Sequence, residues 1–99
     1  MNQDTLAVER EDNARGGRYV IHLAPDAEAE MTYRKTADHV IAVDHTFTPP
    51  AYRGRDVALR LATRLIEDAR AEGTRIVPLC SYMVLQFRRH PEWQDLLAQ

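Results

Sequence analysis

Cysteine, lysine and long apolar runs are all scarce in this chain. Cys80 is the only cysteine, so no internal disulfide can form, and one cysteine among four histidines shows no zinc-ligand spacing. Lys35 is the single lysine among 13 cations, which face 15 acidic residues. The resulting net charge of −2 argues against a generic polyanion binder, so no nucleic-acid partner is expected. No apolar run approaches the ~18 residues of a membrane span, and the opening MNQDTLAVERED lacks an apolar signal segment. The expectation is a cytoplasmic protein with no membrane partner and no metal. Repeats and low-complexity tracts are missing too, so the 99 residues read as one domain, 1–99. A domain this short buries only ~60–65% of its unfolded surface, and any sizeable ligand must lie in an open groove or at a dimer seam.

What is present begins with an uneven charge. Residues 1–47 carry 5 cations against 9 carboxylates, and residues 48–99 carry 8 against 6. The acidic half reads as short strands divided by turn residues. Thr5 to Glu9 alternates weakly, and Gly16-Gly17 allows a tight turn. Arg18 to Leu23 is β-branched and aromatic enough for a strand, and Ala24-Pro25-Asp26-Ala27 turns the chain. Glu28 to Arg34 alternates as a half-buried strand, and Lys35 to Asp38 turns again. Val40 to Phe47 is the strongest strand. Strict alternation puts Ile41, Val43, His45 and Phe47 on one face, with Val40, Ala42, Asp44 and Thr46 on the other.

Pro49-Pro50 ends that strand, and helical periodicity takes over from Arg55 to Glu72. Val57, Ala58, Leu61, Ala62, Leu65, Ile66 and Ala69 form one apolar stripe, and Gly73 stands where a glycine ends a helix. Arg75 to Leu79 reads as a short buried strand, which makes a right-handed parallel crossover with the strand before the helix. Ser81 can cap a second helix from Tyr82 to Arg89. Pro91 then blocks it and starts a last turn through Trp93, Leu96 and Leu97. The fold class is therefore α/β (α+β): an antiparallel meander, then helix, parallel strand and helix.

The most informative stretch is TFTPPAYRGRDVALRL, where a central strand leads through Arg53-Gly54-Arg55 into the long helix. A helix N-terminus offers unpaired N–H groups and partial positive charge, which suit a phosphate, and Gly54 lets backbone approach a ligand closely. The plain alternative is a loop with solvated arginines.

This string resembles the pyrophosphate loop of the GNAT acyltransferases: Gln or Arg, two residues, Gly, one residue, then Gly or Ala. Arg53 and Ala58 match the ends, and Asp56 stands where the middle glycine is expected. A carboxylate there should repel a diphosphate unless it caps the helix or pairs with an arginine. VPLCSY and FRRHPEWQDLL, together with His45-Thr46 and the YRGR loop, are similar to a small GNAT subfamily of about 100 residues with Pro-x-Cys and His-Pro-Glu-aromatic signatures. The resemblance implies a minimal GNAT fold whose two parallel strands splay at their C-terminal ends. It implies acetyl-CoA as co-substrate, with Thr46, Phe47 and Thr48 along the pantetheine arm. Arg53, Gly54, Arg55, Asp56, Val57 and Ala58 would lie at the diphosphate. The acceptor would be an amine on a protein, peptide, polyamine or small metabolite, and a homodimer could complete its site.

His45 and Cys80 sit on the two strands that the resemblance splays, so the two are expected to converge. His45 is either a base for the amine or a core-facing histidine. Cys80 is the acid for the leaving thiolate, an acyl-enzyme nucleophile or a small buried hydrophobe. Tyr82 either donates to the leaving thiolate or packs. The His90-Pro91-Glu92-Trp93 segment reads as structural. Arg88-Arg89 reads as a solvated face or a contact to an adenosine phosphate. Two functions follow: an N-acetyltransferase, or a module that binds acyl-CoA or a partner protein without turnover, which Asp56 favours.

Overall fold

The computed structural model describes residues 7–98; Thr5 and Leu6 of the weak first strand lie outside them. Five strands form one sheet in sequence order: β1 (Val8–Asp12), β2 (Gly16–Ala24), β3 (Ala27–Ala37), β4 (Val40–Phe47) and β5 (Arg75–Pro78). The first four pair antiparallel, and β4 pairs β5 in parallel. Helix α1 (Val57–Glu72) makes the crossover, and α2 (Ser81–Arg89) leads into a 3-10 turn over Pro91–Leu96. A bridge from Ile76 to Leu97 and a hydrogen bond from Ala98 N–H to the Ile76 carbonyl bring the C-terminal segment alongside β5.

Local chemistry explains the turns. Asn13 makes the first one, its Oδ1 accepting from the N–H groups of Arg15 and Gly16 at 2.8 and 3.1 Å. Gly16 and Gly17 are therefore not the turn but the start of β2. They are small because Tyr33 lies against them: a Cβ on Gly17 would stand 2.7 Å from the Tyr33 hydroxyl. Pro25-Asp26 joins β2 to β3 as expected. Strand β3 runs on to Ala37, past the expected turn, and the reversal falls on Asp38-His39, with His39 at φ 57°.

The α1 stripe packs on the sheet through Val57, Leu61, Ala62, Leu65, Ile66 and Ala69. It meets Tyr19, Ile21, Ala29, Met31, Tyr33, Ile41, Val43 and Ile76. Met83 and Phe87 of α2 join the same core, as do Trp93 and Leu96. Gly73 closes α1 in the left-handed conformation that glycine permits, at φ 69°. Helix α1 begins at Val57 rather than Arg55, because Asp56 itself takes a left-handed backbone.

Strand β4 departs from strict alternation. Thr32 pairs His45 and Tyr33 pairs Val43, which leaves Asp44 as an extra residue in a β-bulge. One extra residue inverts the faces beyond it. Thr46 pairs the fully buried Met31 and so comes onto the helix face behind Ile41 and Val43. His45 and Phe47 turn to the opposite face, contrary to the expected grouping. That opposite face is charged: Arg18 bridges Glu11, Glu28 and Glu30, Arg34 pairs Asp44, and Val20 lies fully buried among these side chains.

Candidate active site

Pairing between β4 and β5 stops at Val43 and Pro78. The N–H groups of Leu79 and Cys80 then both reach back to the Val43 carbonyl, at 2.9 and 3.2 Å. Cys80 precedes α2 with extended backbone, and the chain turns into the helix. Asp44 to Phe47 of β4 thus have no β5 partner, and the strands part. At the base of the gap the Thr46 hydroxyl and the Cys80 thiol stand 3.3 Å apart.

An open cavity of about 710 Å³ occupies the helix side of this gap. Thr46, Phe47 and Thr48 border it on one side, and Arg53, Gly54, Asp56, Val57 and Ala58 on another. Tyr82 and Arg89 of α2 supply the far wall. Tyr52, Leu59, Gln86 and His90 also line it, and sequence reasoning did not assign them there, since nothing in their spacing marks a groove wall. Arg55 does not line the cavity; its guanidinium lies over the Tyr52 ring, 5.6 Å from the centroid. A larger cavity, about 830 Å³, lies at the other end of the sheet, among charged groups already paired with one another.

The mouth of α1 is arranged for an anion. Asp56, at φ 61° and ψ 22°, makes no side-chain cap, and its carbonyl accepts from Arg60 N–H at 3.1 Å. The N–H groups of Val57, Ala58 and Leu59 are therefore left without a capping side chain. Gly54 has φ 82°, with nothing within 4 Å of where a Cβ would project, so its backbone is open to close approach. Arg53 donates from Nε to the Thr48 carbonyl at 2.9 Å, which ties the loop to the end of β4. Asp56 neither caps the helix nor pairs with an arginine among the described residues.

Two residues of the cavity lining have further features. Thr48 Oγ1 is a buried oxygen with no hydrogen-bond partner among the described residues. Tyr82 is half-buried, and burial first, then the charge of Asp56, pushes its phenol above the usual range.

His45 and Cys80 are not brought together. His45 stands on the helix-free face with its side chain 55% exposed, its Nε2 3.8 Å from a Glu30 carboxylate oxygen. Cys80 packs against the core from the other side. The bulge at Asp44 is the cause. His90 bonds the Gln86 carbonyl through Nδ1 at 2.8 Å and stacks on Trp93 at 3.9 Å, closing the end of α2.

Residues 18–96 match the family model described as GCN5-related N-acetyl-transferase. The chain belongs to that family. Its fold is also similar to the NMR solution structure of a GCN5-like protein from Staphylococcus aureus, with a TM-score of 0.76 and 25% sequence identity. That match covers 97% of this chain and 91% of the other. Membership in the family carries acyl transfer as the general chemistry. A nucleotide thioester fits the residues present: an uncapped helix mouth for phosphate, a glycine open to close approach, an unpaired strand end, and an orphaned hydroxyl on Thr48. Asp56 is the discordant charge. Among the described residues no cluster of three or more His, Cys, Asp or Glu could hold a metal ion. No helix among them is long and apolar enough to cross a membrane.

Proposed function

We propose that the protein is an acetyl-CoA-dependent N-acetyltransferase that moves the acetyl group directly to an amine. One observation carries this reading: the parted end of β4, the uncapped mouth of α1 and Tyr82 border a single cavity. Acetyl-CoA supplies the activated acetyl thioester. Backbone groups of Thr46 to Thr48 would align the pantetheine arm, and the N–H groups of Val57 and Ala58 would hold the diphosphate. Tyr82, like any phenol, holds its proton at neutral pH, and burial disfavours the phenolate further, so its hydroxyl can donate to the departing thiolate sulfur.

His45 is the base on this reading, and it acts from the helix-free side. It takes the proton that the acceptor nitrogen loses as the C–N bond forms, and Glu30 stabilises the imidazolium. Direct transfer is favoured over an acyl-enzyme because, among the described residues, the hydrogen-bond partner of Cys80 is the Thr46 hydroxyl and not a base. A second reading, a domain that binds the thioester without turnover, is favoured by Asp56 at the helix mouth.

Calorimetry with acetyl-CoA, followed by release of free thiol in the presence of an amine panel, tests both. Binding with amine-dependent thiol release supports the enzyme, and Tyr82→Phe should then lower kcat about 10- to 100-fold with little change in KM for acetyl-CoA. Binding without release supports the module. No binding heat at millimolar acetyl-CoA defeats both.

A further inference from the structure

Helix α2 turns two different stripes to its surroundings. Met83 and Phe87 enter the core, while Tyr82, Gln86, Arg89 and His90, at helical spacing, line the cavity. Gln86 is the unusual member. It is only 7% exposed, yet its side-chain amide has no hydrogen-bond partner among the described residues; only its backbone carbonyl is used, by His90. The amide is not sealed in either, since the one fully enclosed side-chain oxygen without a partner among those residues is that of Thr48. What surface Gln86 keeps lies at the cavity it lines. Methionine would fill the same space without the cost of burying an unpaired amide. A polar group held idle at a cavity wall calls for a partner that arrives with a ligand.

We propose that Gln86 is a specificity-determining residue for the donor: it hydrogen-bonds the amide of the pantetheine arm nearest the thioester. The inference deepens the acetyl-CoA reading above and rests on it. A trans amide points its N–H and C=O in opposite directions. The unpaired end of β4 can bond to one of them, and the other then faces the opposite wall, which is α2. A glutamine amide carries both a donor and an acceptor, so it serves whichever group is presented. The spacing agrees. Tyr82 meets the sulfur on this reading, and Gln86 stands one turn further along α2, about 6 Å of rise. The nearest amide is two methylenes from the sulfur, a span of similar length. A thioester whose arm lacks that amide would leave Gln86 unpaired in a filled cavity, and the site discriminates against it for that reason.

The experiment compares the full wild-type chain with Gln86→Met, which keeps the length and the apolar stem. Calorimetry gives the affinity for acetyl-CoA, and competition against it gives the affinity for an analogue whose nearest amide is replaced by two methylenes. Thermal unfolding of the ligand-free proteins is followed by circular dichroism. The variant should bind acetyl-CoA about tenfold more weakly, the scale of one polar group left unpaired. Its ligand-free Tm should equal or exceed that of wild type, because an idle buried amide has been removed. The change from acetyl-CoA to the analogue should weaken binding to wild type about tenfold more than binding to the variant, which has already lost the contact. Unchanged acetyl-CoA affinity in the variant overturns the proposal, as does an equal loss by both proteins on the analogue. A variant Tm lowered by more than about 5 °C overturns it too, by making the amide a support of the fold. Those three results leave wild-type binding of acetyl-CoA intact, whereas absence of wild-type binding heat removes the donor reading and this inference together.

Discussion

Arg10 joins an edge strand to a helix 58 residues away, and replacing it with leucine tests how much of the fold depends on that junction. Its Nε donates to the Tyr33 hydroxyl at 3.0 Å, and Nη1 reaches Asp68 and Glu72 at 3.2 and 2.6 Å. The guanidinium also lies over the rings of Tyr19 and Tyr33, 5.3 and 5.6 Å from their centroids. Asp68 is held in addition by the Tyr19 hydroxyl, at 2.8 Å, and by Arg64. A charge-assisted hydrogen bond contributes about 1.5–3 kcal/mol when both partners are withdrawn from water. Here Glu72 is nearly half exposed and regains water once released, whereas Asp68 and the two tyrosines stay partly covered. Leucine keeps the apolar stem, so the net cost of Arg10→Leu should be about 2–3 kcal/mol, which for a domain of this size lowers Tm by about 10–20 °C. Urea unfolding followed by circular dichroism gives the value. Combining the change with Tyr33→Phe should cost less than the two singles added together, by at least about 0.5 kcal/mol, because both delete the same contact. A loss under about 0.5 kcal/mol for Arg10→Leu would show that the junction is decorative and that α1 holds the sheet through its apolar stripe alone.

The remaining predictions concern the glycine beside Tyr33, the alkaline limit of stability and the thiol. Gly17→Ala would press a methyl into the Tyr33 hydroxyl and the Glu11 carbonyl and should destabilise by about 3 kcal/mol; a stability within 0.5 kcal/mol of wild type, in the same urea assay, would mean that β1 gives way freely. Burial, then the hydrogen bond to Asp12, raises the Tyr33 phenol to about 12 from its ordinary value of 10.0. Its contribution is therefore fully present below pH 10 and is lost as pH rises through 12; Tyr33→Phe should make that alkaline fall shallower, and an unchanged profile would contradict the assignment. Cys80→Ala should keep amine-dependent thiol release within about threefold, with no acetylated wild-type protein seen by intact mass spectrometry; a loss beyond about 100-fold would restore the nucleophile.

Residues whose partners are near in sequence were the easiest to read. The apolar stripe of α1 and the glycine at its end gave the helix, and Pro25-Asp26 gave a hairpin turn. Several residues of the cavity wall, Arg53, Gly54, Asp56 to Ala58 and Tyr82, were also singled out by the sequence, because the loop and the second helix carry recognisable patterns, whereas Arg55 turns away. What escaped depends on distant partners. VIAVDHTF alternates evenly as a string, and only pairing with β3 reveals that Asp44 is an extra residue and that His45 faces away from Cys80. Gly16-Gly17 looked like a turn because its cause, the Tyr33 ring, lies on another strand. The start of α1 moved two residues because Asp56 took a backbone conformation that aspartate seldom adopts, a choice that no periodicity encodes.

Strand β1 forms one rim of the sheet, and its sequence, VERED, has a consequence for life at high concentration. Four of its five residues are ionisable, so a neighbouring molecule trying to zip onto this rim would have to desolvate a row of charges before any backbone contact formed. The rim thus acts as a repellent border that discourages runaway stacking of copies, and neutralising Glu9 and Glu11 together should make the molecule sticky before it makes it unstable.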